Sequence, residues 1–98
     1  MNDTIDHGLK ARILAATLEV SHLKRIARHP SALRELDDVQ ALIDAAADRV
    51  AAELTADVVN NVEVLLRLVR LRLRAVHNAV ADFGPLAAIA PLGNSDNT

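Results

Sequence analysis

From Ser31 to Phe83 the chain runs without a glycine, a proline or a turn dipeptide. Strands average about five to six residues and reverse through turns, so a sheet would need several breaks in such a segment. Helices are the fold it leaves open. The stretch "RLVRLRLR", Arg67 to Arg74, alternates charged and aliphatic residues from Arg70 onward, as a half-buried strand or a phosphate-binding face would. It lies inside a heptad array, however. Val59, Leu66, Leu73 and Val80 recur every seven residues, and Val62, Val69, Val76 and Phe83 do the same three positions later. Four consecutive a/d pairs mark a helix that packs along its length, and the alternation is a by-product of register.

Two further helices precede it. Leu9, Ile13, Ala16, Val20, Leu23 and Ala27 follow alternating spacings of four and three, with Ile5 one turn earlier and Asp3 or Thr4 able to cap the start. His29-Pro30-Ser31 ends that helix, because the residue before a proline is pushed out of the helical region, and Ser31 is a good N-cap for the next. In the second segment Leu36, Ile43 and Val50 form one heptad row and Ala47 and Leu54 its neighbour. Glu35, Asp37 and Asp38 come early, where acids suit the helix dipole. The buried face must rotate between Leu54 and Asn61, where Thr55 can cap a new helix; one long bent helix is the alternative. Gly84-Pro85 stops the third helix.

The expected architecture is therefore all-α: three helices near residues 4 to 29, 32 to 54 and 56 to 83, forming one domain over residues 1 to 84. A proline-containing tail follows over 85 to 98, disordered from Gly93 and able to fold back on the bundle between Pro85 and Leu92. Ala, Leu, Val and Ile make up nearly all of the apolar half, with Phe83 the one aromatic residue. Without cysteine, disulfides and thiolate chemistry are excluded. No uncharged run approaches the roughly 18 residues of a membrane span, and a soluble, cytoplasmic protein is expected. The net charge of -2 conceals a basic, acidic, basic order: six basic against three acidic residues over 1 to 34, one against eight over 35 to 63, four against two over 64 to 98. A bundle that lays the middle segment beside both others would satisfy it.

The apolar surface exceeds what three short helices can bury. Val64, Leu68 and Leu71 face away from the third helix's a/d rows, Val58, Leu65 and Ala79 flank them, and Leu14 and Leu18 lie opposite the stripe of the first helix. A second interface follows, most simply a two-fold homodimer through the third helix and Leu14 and Leu18. Its interface residues are taken as Leu14, Leu18, Val59, Val62, Leu66, Val69, Leu73, Val76, Val80 and Phe83.

Other motifs carry less. Arg67, Arg70, Arg72 and Arg74 could bind phosphate, but the chain has no Tyr or Trp to stack on bases and is net acidic. Ion pairing, for example Glu63 with Arg67 one turn on, explains them more simply. Glu19 and His22 have the Glu-x-x-His spacing of di-iron bundles, which Glu53 or Glu63 could complete, yet both sit off the apolar stripe. His22 and His29 are two turns apart beside Arg25 and Arg28, a poor metal pair, and His77 is expected to be partly buried beside the core seam. Asp44 with Asp48, and Glu53 with Asp57, read as solvated acids. Catalysis and cofactors are not expected. The function read from the sequence is a protein-protein interaction module, an adaptor, small regulator or chaperone that pairs with itself and with another protein. A metal or cofactor site at the dimer interface is the alternative, and nucleic-acid binding through the arginines a third. Polar replacement of Leu66, Val69 and Leu73 should unfold or dissociate it.

Overall fold

A computed structural model describes residues 2–89, and these form three helices: α1 (Asn2–Ile26), α2 (Pro30–Ala52) and α3 (Ala56–Phe83). Both joins have local causes. His29 is extended before Pro30 and caps α2 itself, its Nδ1 accepting from the Ser31 N–H at 3.1 Å. The expected cap, Ser31, instead lies within the helix, and its hydroxyl is used elsewhere. Thr55 caps α3 by accepting from the Val58 N–H at 3.2 Å. Residues 53 to 55 leave the helical region, so α2 and α3 are separate helices and the long bent helix is excluded.

Gly84 closes α3 with φ 86, a left-handed value that favours glycine, and its N–H donates to the Val80 carbonyl at 2.8 Å. The chain then turns back along the bundle. The Arg28 N–H donates to the Pro85 carbonyl at 2.7 Å, and the Ile89 N–H donates to Ser31 Oγ at 2.9 Å. Residues 85 to 89 are thereby tied across the α1–α2 junction. The disorder expected from Gly93 onward lies outside the described residues. No helix among the described residues is long and apolar enough to cross a membrane.

The core lies on one face of α3. Val62, Leu66, Val69, Leu73 and Val76 are all buried. One cluster joins the last three to Val20, Leu23, Leu36, Val39 and Ile43; a second joins Val62 and Leu66 to Leu9, Ala46 and Val50. Most of the seam expected at a dimer interface is thus covered within the chain, because α1 and α2 both pack on it. Val59 and Val80 are half-buried, and Phe83 is 79% exposed because the chain leaves α3 just after it. On α2 the second buried row is Ala32, Val39 and Ala46, not Ala47 and Leu54, which are half-buried.

The charge blocks meet across the helices. Lys24 of α1 pairs with Asp37 of α2 at 2.7 Å, and Arg72 of α3 pairs with Glu35 of α2. Because α2 starts at Pro30, its first turn holds no acid. Its early carboxylates therefore serve these ion pairs and not the helix dipole. Leu36, at the centre of the larger cluster and fully buried, sets the first prediction. Leu36→Ala should cost about 2 to 5 kcal/mol, read by urea unfolding followed by circular dichroism, while a loss under about 1 kcal/mol would contradict the packing.

Candidate functional site

The four arginines of "RLVRLRLR" have two fates. Arg72 turns toward α2 and makes a two-pronged bond to Glu35, Nε to Oε2 at 2.6 Å and Nη2 to Oε1 at 2.7 Å, with Asp38 at 3.6 Å. The side chains of Glu35 and Arg72 are only 6% and 17% exposed. This carboxylate holds the Arg72 pKa above its usual value through its hydrogen bond, against the opposing effect of burial. A raised arginine pKa keeps Arg72 charged as pH rises, so the guanidinium is no alkaline switch. Arg67, Arg70 and Arg74 are exposed and form no ion pair among the described residues. Glu63, the expected partner of Arg67, bonds instead to Arg12 of α1 at 2.7 Å. The longer-range pairing wins because Arg12 reaches Glu63 directly across the α1–α3 boundary.

Beside those free arginines a groove of about 630 Å³ runs between α1 and α3. α1 and α3 touch each other less than either touches α2, and the Cα extents of 44 × 31 × 17 Å describe a unit wider than it is thick. Ala15 and Ala16 line one wall, Arg70, Arg74, His77 and Asn78 the rim on α3, and the base is closed by Leu66, Val69 and Leu73, which are themselves buried in the core. Glu19 and Arg12 stand on the rim of α1. His77, expected to be partly buried, is exposed on this rim.

Two apolar stripes remain uncovered. Leu14 and Leu18 are 59% and 61% exposed on the side of α1 away from the core. On α3, Val64, Leu68 and Leu71 are 60%, 37% and 59% exposed. With exposed Ala75 they follow 4-3-4 spacing, a short second seam opposite the first. This is the row that the sequence sets on the side of the helix facing away from its a/d rows.

Glu19 and His22 are both exposed on α1, and no group of three His, Asp or Glu side chains able to hold a metal ion occurs among the described residues. His29 is committed to capping α2, with Nδ1 also 2.8 Å from Ser31 Oγ. Asp44 accepts from Gln40 Nε2 at 2.9 Å and, like Asp48, Glu53 and Asp57, is exposed. Among the features of the described residues left without an internal purpose are the groove and the two stripes. Comparison with known protein families, curated proteins and solved structures finds no match to this chain.

The division among the arginines can be measured. Arg72→Met leaves the Glu35 carboxylate buried and unpaired and should cost about 3 to 5 kcal/mol. Arg70→Met and Arg74→Met should stay within about 0.5 kcal/mol of the parent in the same denaturant titration. Equal effects at all three positions would contradict it.

Proposed function

We propose that this chain is a non-enzymatic helical interaction module that pairs with a second copy along the outer face of α3 and acts as an adaptor, small regulator or chaperone toward another protein. One observation carries the reading: three large aliphatic side chains, Val64, Leu68 and Leu71, stand exposed in a single stripe on a helix whose opposite face already serves the core. Isolated exposed aliphatics are ordinary, whereas an aligned row of them on one helix face marks a contact surface. A stripe of this spacing is self-complementary about a two-fold axis, the commonest symmetry of soluble oligomers. Leu14 and Leu18 give α1 a second, smaller contact of the same kind.

The pairing surface differs from the one the heptads suggested. Polar replacements at Leu66, Val69 and Leu73 strike the chain's own core and unfold it, so they cannot report on assembly. Leu68 and Leu71 can be changed without opening the core. Arg67 and Arg74 lie beside the stripe on the same helix, so the contact between copies is apolar and added salt relieves repulsion.

The expected outcome is a dimer by native mass spectrometry for the parent chain, and a monomer of unchanged helicity for Leu68→Glu/Leu71→Glu. The dimer should survive about 0.5 M salt, where the Debye length is only a few Å. A monomeric parent, or a double variant that keeps the dimer, would refute the pairing.

A further inference from the structure

We infer that the two ends of the bundle are complementary, so that the Phe83–Leu86 corner of one chain seats in the recess beside Ile5 and Leu54 of a second copy and the chains join head to tail. This contact is separate from the pairing along α3 and gives the molecule a second, directional surface.

The order of the helices sets what each end holds. One end gathers the start of α1, the end of α2 and the start of α3. The other gathers the end of α1, the start of α2 and the end of α3, with residues 85 to 89 tied across it. The 28 residues of α3 span about 42 Å at 1.5 Å per residue, close to the longest extent of 44 Å. The ends therefore lie a molecular length apart, and one chain cannot bring its own together.

One end carries a projection and the other a recess. Phe83 and Leu86 are 79% and 74% exposed, the highest values among the exposed large hydrophobic side chains. They flank the Gly84–Pro85 turn, which is held on both sides: the Gly84 N–H donates to Val80, and the Pro85 carbonyl accepts from the Arg28 N–H. Ala87, just beyond, is buried, so the corner is fixed in place. At the opposite end a recess of about 350 Å³ is lined by Ile5, Leu54, Thr55, Ala56, Val59 and Asn60. The core has not used up its apolar surface. Ile5 is 46% exposed, and Leu54 and Val59 are half-buried. An aromatic side chain seated in such a recess is the usual anchor of a protein contact.

Charge selects the orientation. Around the corner Arg25, Arg28 and Arg34 are exposed and form no ion pair among the described residues, Lys24 is matched by Asp37, and Asp82 is the one exposed acid at the end of α3. Around the recess Glu53 and Asp57 are exposed and unpaired among the described residues, and Asp6 is matched by Lys10. Arg49, one turn before Glu53, is the unpaired base of that end. Joining unlike ends sets arginines against carboxylates. Joining like ends would set Arg25 and Arg28 against their own copies, or Glu53 and Asp57 against theirs, and leave the recess empty. The helix dipole accounts for an acid at the start of α3 and a base at the end of α1. It gives no reason for the chain's one aromatic residue to stand in solvent. A contact between two different surfaces does not close within a pair, so it continues as a ring or a filament.

The test is sedimentation velocity of the full chain up to about 1 mM, where a contact of millimolar Kd is still visible. All samples carry Leu68→Glu/Leu71→Glu, so that pairing along α3 does not contribute. The average mass should rise with concentration past that of two chains and fall back in about 0.5 M salt. Phe83→Asp/Leu86→Asp removes the corner, and Ala56→Arg/Asn60→Arg fills the recess with the wrong charge. All four positions are exposed, and helicity is checked by circular dichroism. Each variant alone should lose the growth in mass. Their equimolar mixture restores one corner and one recess, and should form a two-chain species at least about tenfold more tightly than either variant self-associates. A mixture no heavier than its components overturns the inference, as does a recess variant that still grows, or a chain with both ends intact that stays at one mass throughout. The gain on mixing is read against each component alone, so it holds whether or not copies pair along α3. A chain with Leu68 and Leu71 intact that stops at two copies refutes only the end contact, and growth on mixing without a parental two-fold dimer refutes only the pairing.

Discussion

One face of α3 holds the molecule together. Val62, Leu66, Val69, Leu73 and Val76 are the contact for α1 and for α2 at once, and both hydrophobic clusters pass through them. Three of the five are valines, whose branched side chains lose little freedom on burial and give a narrow, stiff ridge. A narrow ridge lets α2 pack closely but cannot fill the space between α1 and α3. The open groove is the geometric result of asking a slender seam to carry two neighbours.

Within that arrangement the Glu35–Arg72 pair serves as a register mark. Glu35 is the one buried charged residue among the described core, set beside Leu36 on the inner face of α2. Sliding α2 by a turn along α3 would keep aliphatic contacts nearly as good, because both helices repeat Ala, Val, Leu and Ile at heptad spacing. It would also leave a carboxylate in an apolar contact with no guanidinium to meet it. Buried ion pairs add little net stability over an apolar pair of the same shape, whereas an unpaired buried charge is costly. The pair therefore acts mainly by penalising the wrong registers.

Much of this was legible in the sequence, and the rest failed for identifiable reasons. The absence of breakers after Ser31, the heptads of α3, Thr55 as a cap and Gly84 as a stop all read correctly, because each is a local signal. The stripe of α1 from Leu9 to Ala27 also packs inward as its spacing implied. What the chain could not reveal was which apolar row would meet which neighbour. A heptad seam looks the same whether the facing helix belongs to the same chain or to another, so spacing alone points to a dimer as readily as to the chain's own α1 and α2. The arginines posed the same difficulty. Arg72 is distinguished by Glu35, 37 positions away in the chain, and Arg12 takes Glu63 from 51 positions away, whereas sequence spacing reports only partners one turn distant. The groove left no trace in any single segment, since it exists only in the distance between two helices.

The alternation of arginines and aliphatics in Arg67 to Arg74 has a physical reason. α3 presents an inner seam for the core and an outer stripe of Val64, Leu68, Leu71 and Ala75, and a helix apolar on both sides is close to apolar all round. Such a helix on the surface of a small unit would associate without discrimination. The arginines stand between the two rows: Arg67, Arg70 and Arg74 on the side toward α1, and Arg72 on the side toward α2. Their aliphatic stems extend the neighbouring apolar surfaces while their charged ends keep those surfaces apart. On the α2 side the charge is cancelled by Glu35 and Asp38, which makes that flank part of the fold. Toward α1 it is left uncancelled, and that asymmetry separates the flank of α3 that is tied into the fold from the flank that stays charged and exposed.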